Sequence, residues 1–174
     1  MSLPGVIKQL TSLKSNKASG PDQIPPWFLK EYAHEIGPIL TLTYQASIDS
    51  GIVPSRWKYA YVCGVFKGGQ KSNPCNYRPI SLTCIASKVL EHTVHSHVMK
   101  HLDWHQIFTD VQHGFRAKRS TVDLAKTIQD NKSIHAAILD FSKAFDKVPH
   151  QRLLRKLEYY GIRERTYSNG LSHS

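Results

Sequence analysis

The stretch that decides the fold reads Ala136-Ala137-Ile138-Leu139-Asp140-Phe141-Ser142-Lys143-Ala144-Phe145-Asp146-Lys147-Val148-Pro149-His150, the one place where an apolar, strand-like run ends on a carboxylate. Residues 136 to 139 have the pattern of a short strand buried on both faces, and the segment from Lys143 to Lys147 turns helical. A strand of that kind delivers Asp140 to a sheet edge. Aspartate is rarely buried without a partner, so its expected partner is a cation, either a basic side chain or a metal ion. A strand-end aspartate that caps the following helix has the same pattern, and taken alone it is the plainer reading.

Three further stretches bear on Asp140. They are NKASGPDQIP at 16 to 25, NYRPISLTCIASKVLE at 76 to 91 and QHGFRAKRSTVDL at 112 to 124. With LDFSKAFDKVPH they form four ordered motifs, and together they resemble the reverse transcriptases of LINE-type non-LTR retrotransposons. The string around Asp140 is similar to the first catalytic-aspartate motif of that family. The resemblance runs from about Leu13 to Arg165, and any one motif alone would be a weak signal.

Composition is compatible with such a role. A chain of 174 residues with 40% hydrophobic content can bury a core of its own within one ordinary domain. Lys and Arg number 23 against 13 Asp and Glu, a net charge of +10, which favours a polyanionic partner. Charge alone does not separate RNA from DNA, or either from an acidic membrane face. Cys63, Cys75 and Cys84 show neither CxxC spacing nor an even count, so they read as free thiols in a reducing compartment. No apolar run is long enough for a signal peptide or a bilayer span, and the expected location is intracellular, cytoplasmic or nuclear, without secretion or membrane attachment.

Apolar residues Val6, Ile7, Leu10 and Leu13 predict a short N-terminal helix before a turn-rich loop. Prolines at 25 and 26 open a helix through Tyr32, and a second helix is expected from near Pro38 to Gly51. The aromatic and β-branched run from Tyr59 to Phe66, the turn Lys67-Gly68-Gly69-Gln70 and the segment Tyr77 to Leu82 predict a β-hairpin with a basic tip. A helix follows from Thr83 to about Asp103, with Ile85, Val89, Val94 and Val98 as its buried face. Its histidines include the i, i+4 pair His97 and His101, but nothing nearby completes a zinc site, and a polar helix face is the reading adopted. Gly114 lies in a loop that allows close backbone approach, and Ser120 to Asp123 resembles a capping box that starts a helix to about Lys132. A last helix from His150 to Tyr160 carries Leu153, Leu154 and Leu157 as its buried stripe and stops at Gly161.

The resemblance implies roles for particular residues. Polymerases of this kind move a nucleotidyl group with two divalent ions, and hard oxygen ligands suit magnesium, with manganese as a substitute. It assigns Asp140 as the catalytic metal ligand and the Phe141 backbone carbonyl as a second oxygen ligand. Asp146 is read as structural. Phe145 is implied to lie beneath the incoming sugar and to select deoxynucleotides by shape, although a core phenylalanine has the same sequence appearance. Lys67 and Arg78 match positions that hold the triphosphate, a point charge beside a forked guanidinium. Lys67 also reads as a solvated turn lysine, and Lys71 is an alternative to it. Arg116, Lys118 and Arg119 are implied to track template or primer phosphate, as a solvated basic loop also would.

The expected fold is α+β, a partial right-hand polymerase with mostly helical fingers, a β-hairpin, and the first strand and helices of a palm. The expected divisions are an N-terminal helix over 1–15, fingers over 16–135, the start of the palm over 136–165 and a disordered tail over 166–174. The sequence contains no adjacent pair of aspartates, which the family needs on a later hairpin. The expected function is therefore an RNA-directed DNA polymerase domain of a mobile element, cut off before its second carboxylate motif and thumb. Its expected partners are an RNA template, a DNA primer and deoxynucleoside triphosphates. The alternative is a non-catalytic nucleic-acid-binding remnant. A phosphatase built on Asp140 ranks last, because it lacks a DxD pair and a phosphate-cradling glycine loop.

Overall fold

A computed structural model describes residues 1–116 and 147–162 of the chain. Within them lie five α-helices and one two-stranded antiparallel sheet: α1 (Leu3–Thr11), α2 (Pro26–Glu31), α3 (Ala33–Ser50), β1 (Ala60–Phe66), β2 (Tyr77–Thr83), α4 (Ile85–Trp104) and α5 (His150–Tyr159). The chain divides into two compact units, Met1–His97 and Val98–Ser174. The strand expected over 136–139, the capping box at 120–123 and the tail at 166–174 lie outside the described residues.

The first unit is built on one apolar cluster. Val6 and Leu10 of α1, Leu29 of α2, Ala33 and Tyr44 of α3, and Ile85, Val89 and Leu90 of α4 are buried together. Val6 and Leu10 stand four apart on one helical face, so α1 turns a single stripe inward. Helix α1 can lie close to α3 because Gly37 has no side chain; a Cβ there would stand 2.8 Å from the Ile7 Cγ1. Tyr44 crosses the cluster, stacks edge-on against Trp57 at 5.5 Å, and donates its hydroxyl proton to the Ala86 carbonyl at 2.8 Å.

Two expectations of the sequence change here. Helix α3 starts at Ala33, five residues ahead of Pro38, and takes the proline inside it. A proline within a helix forfeits one backbone hydrogen bond. Burial of Ala33 and Gly37 against the cluster outweighs that loss, and α3 ends at Gly51 in the left-handed conformation (φ 68°), as expected. In α4 the buried face is confined to the first turns, at Ile85, Ala86, Ser87, Val89 and Leu90, while Val94 is 42% exposed. The stripe fades because the core cluster it packs on ends at Leu90.

In the second unit, α5 closes in a Schellman motif. Gly161 N–H donates to the Glu158 carbonyl and Ile162 N–H to the Leu157 carbonyl, each at 2.9 Å, around Gly161 at φ 82°. His101 Nε2 is 2.7 Å from the Tyr160 carbonyl oxygen and donates to it, and the His101 ring lies 4.4 Å from that of His105. Helix α5 carries no buried residue, and Leu153 and Leu154 are 44% and 49% exposed. Of the expected stripe only Leu157 is half-buried, while Leu153 and Leu154 stay exposed.

Candidate functional site

The hairpin is the best-defined element among the described residues that carries candidate site residues. β1 and β2 pair over seven residues each, from Ala60↔Thr83 at the root to Phe66↔Tyr77 at the far end. Their β-branched and aromatic content suits the pleated ladder, and the Lys67 N–H extends it by donating to the Asn76 carbonyl at 2.8 Å. The reversal then needs glycine twice: Gly68 has φ 136° and Gly69 φ 89°. Asn76 folds over Gly69, where a Cβ would come within 2.7 Å of its Nδ2, and donates from that amide to the Gln70 carbonyl at 2.9 Å.

Other bonds hold the tip. Tyr77 donates its hydroxyl to the Lys71 carbonyl at 3.0 Å, and the Asn73 Oδ1 accepts from the Cys75 N–H at 3.0 Å. The Phe66 and Tyr77 rings meet across the ribbon at 5.4 Å. A ten-residue basic connection is thus an ordered platform.

Register along the ladder decides where the cations go. Arg78 sits opposite Val65 in the ladder, and Lys67 follows directly on the last residue of β1, Phe66, so both cations lie at the tip end of the ribbon within two residues of the Phe66↔Tyr77 pair. Both are exposed, and neither forms an ion pair among the described residues. A mobile ammonium beside a guanidinium fork suits several phosphate oxygens at once. The hairpin itself carries charge of one sign: the sequence holds no Asp or Glu between Asp49 and Glu91, and the ribbon with its tip carries Lys67, Lys71 and Arg78. That acid-free span is visible in the sequence to any reading that tracks charge along the chain as well as its total.

At its root the hairpin is fixed by the KASGPDQIP loop. Gly20 is buried against the backbone of Thr83 and Cys84; a Cβ on it would lie 2.5 Å from the Cys84 nitrogen. The Cys84 thiol donates to the Arg56 carbonyl at 3.7 Å, a sulfur distance. Burial pushes that thiol up from its ordinary 9.0. The loop therefore acts as the footing of the ribbon, a packing role that glycine alone fits.

Arg116 is held by the protein in the second unit. Its guanidinium donates to the Thr109 carbonyl at 3.0 Å, lies 5.4 Å from the centre of the Phe108 ring, and approaches the Asp103 carboxylate at 3.9 Å. It braces the turn from Thr109 to Arg116, and any nucleic-acid contact would have to share it. Asp140, Phe141, Phe145, Lys118 and Arg119 lie outside the described residues. The ligands expected for a divalent ion are among them, and no group of three His, Cys, Asp or Glu converges among the described residues.

Comparison with known proteins gives these features a family. Residues 69–173 match the family described as "Reverse transcriptase (RNA-dependent DNA polymerase)". Over 172 residues the chain is 28% identical to the "Probable RNA-directed DNA polymerase from transposon BS" and 29% identical to that from transposon X-element, both of Drosophila melanogaster; each match takes in 90% of this chain. It is 27% identical over 165 residues to the RNA-directed DNA polymerase from mobile element jockey of the same fly. The chain spans 18% to 19% of the length of these curated relatives.

Proposed function

The chain belongs to the reverse transcriptase family, and on that premise we propose that it forms the fingers and the start of the palm of an RNA-directed DNA polymerase from a non-LTR mobile element. In this reading residues 16–135 are fingers and 136–165 open the palm. Lys67 and Arg78 hold the triphosphate of a deoxynucleotide, and Phe145 excludes a ribose hydroxyl. Asp140 and the Phe141 carbonyl hold magnesium, or manganese in its place. Arg116, Lys118 and Arg119 face the phosphates of RNA template and DNA primer. The bound ions would offset charge on the attacking and leaving oxygens.

The observation that carries this reading is the ordered, acid-free hairpin with Lys67 and Arg78 both at its tip end. Pairing fixes their spacing before any ligand arrives, which lowers the ordering cost of binding a flexible triphosphate.

Two-ion transfer also needs carboxylates that these 174 residues do not contain as an adjacent pair. Asp140 alone cannot position both primer hydroxyl and triphosphate. By themselves the 174 residues should bind nucleic acid and incorporate nothing. The test is a chimera in which this chain replaces the matching segment of the jockey polymerase, assayed by primer extension on an RNA template. Extension that disappears in Asp140→Ala, with Arg78→Ala raising the KM for deoxynucleotides by about tenfold or more, supports the reading. A chimera that extends equally well without the Asp140 carboxylate overturns it.

A further inference from the structure

An apolar cavity of about 320 Å³ opens in the first unit, away from the tip of the hairpin. Pro26 from the start of α2 and Ile85 from the start of α4 are buried in it, and Leu13 and Leu82 are half-buried beside them. Three lysines stand around these residues: Lys14 and Lys17 are exposed, and Lys88, one turn beyond Ile85, is half-buried. No carboxylate and no aromatic ring lines the cavity, and none of the three lysines forms an ion pair among the described residues.

We propose that this cavity is a docking site for a partner peptide that inserts one aliphatic side chain between Leu13, Pro26, Leu82 and Ile85 and presents flanking carboxylates to Lys14, Lys17 and Lys88. An aliphatic interior ringed by ammonium groups selects a ligand that is apolar at its centre and acidic around it. Nucleic acid has the opposite layout. Its charge lies along the backbone, and its apolar faces are aromatic planes that need a ring to stack on, which this cavity lacks. The segment belongs to a partner chain of different sequence, since nowhere in the 174 residues do two carboxylates flank a leucine, isoleucine, valine or methionine within a five-residue window. The proposal stands independently of the polymerase reading.

The experiment is a fluorescence-anisotropy titration of the 174-residue chain with a labelled pentapeptide, Asp-Glu-Leu-Asp-Glu. Replacing the peptide's leucine by alanine should weaken binding by at least about threefold, the share of a partly buried aliphatic side chain. Lys14→Glu/Lys17→Glu/Lys88→Glu should weaken it by more than about tenfold. The charge-matched variant Lys8→Glu/Lys30→Glu/Lys58→Glu should stay within about threefold of the parent, because long-range charge alone is screened. Equal affinity for the leucine and alanine peptides, or equal losses in the two triple variants, would reduce the effect to net charge and overturn the proposal. A single-stranded RNA that loses more affinity than the peptide in the cavity variant would give the site to nucleic acid and overturn it too. Should the cavity variant melt below the parent, Lys14→Ala and Lys88→Ala singly replace it, and the leucine-to-alanine contrast on the parent chain still decides.

Discussion

At the scale of single residues, Tyr44 joins core and backbone. Its hydroxyl bond to Ala86 is buried, so Tyr44→Phe should cost about 1 kcal/mol and lower Tm by about 2–4 °C, read by thermal denaturation. Burial also pushes its phenol well above the ordinary 10.0. The folded chain therefore keeps a proton that the unfolded chain releases, and stability is full below pH 10.0 and drains as pH rises beyond it. The raised Cys84 thiol acts in the same direction from 9.0 upward. Tyr44→Phe should flatten the alkaline loss, and a variant that loses stability as steeply as the parent above pH 10 would contradict this assignment. Thiol chemistry offers a second check: Cys63 and Cys75 are exposed and Cys84 is 1% exposed, so a disulfide reagent should titrate two thiols quickly and the third only on unfolding. Neither burial could be read from the sequence, where Tyr44 is one of eight tyrosines and Cys84 one of three cysteines. Arg116 was legible as a cation, but Thr109, Phe108 and Asp103, which hold it, came together only through the turn.

At the scale of elements, legibility followed local chemistry. The hairpin could be read because strand alternation and the Gly68-Gly69 reversal are both written in adjacent residues. The start of α3 could not, since tertiary burial of Ala33 and Gly37 overrides the signal that Pro38 gives. For α5 the periodicity announced an apolar face without saying what lies against it. The footing of the hairpin is a testable consequence. Gly20→Ala would drive a methyl into the backbone of Thr83 and Cys84, where neither side can turn away, and should destabilise the first unit by about 1–3 kcal/mol. A melting temperature unchanged from the parent would show that the loop yields. Two strands alone are marginally stable, and Tyr61, Val62, Val65 and Ile80 remain at least 40% exposed. Amides of β1 and β2 should therefore exchange hydrogen faster than those of α3 and the first turns of α4.

For the whole molecule, the charge balance of +10 predicts binding to single-stranded or hybrid nucleic acid with little sequence preference. If three or four phosphates are neutralised, affinity should fall on the order of 10- to 100-fold between about 50 and about 200 mM salt. A flat response in an electrophoretic or anisotropy titration would remove the electrostatic basis for the reading. The family could be read from four ordered motifs, whereas the geometry of Asp140 belongs to residues outside the described ones. What the hairpin does for the chain as a polyelectrolyte follows from its length. Seven paired residues carry the tip about 20 Å from the root, more than two Debye lengths at physiological ionic strength, where one is about 8 Å. Lys67 and Lys71 are thus insulated from the charges of the helical cluster, so the ribbon separates two quantities that usually move together. Salt that strips an anionic ligand from the tip should leave the melting of the helical core nearly untouched.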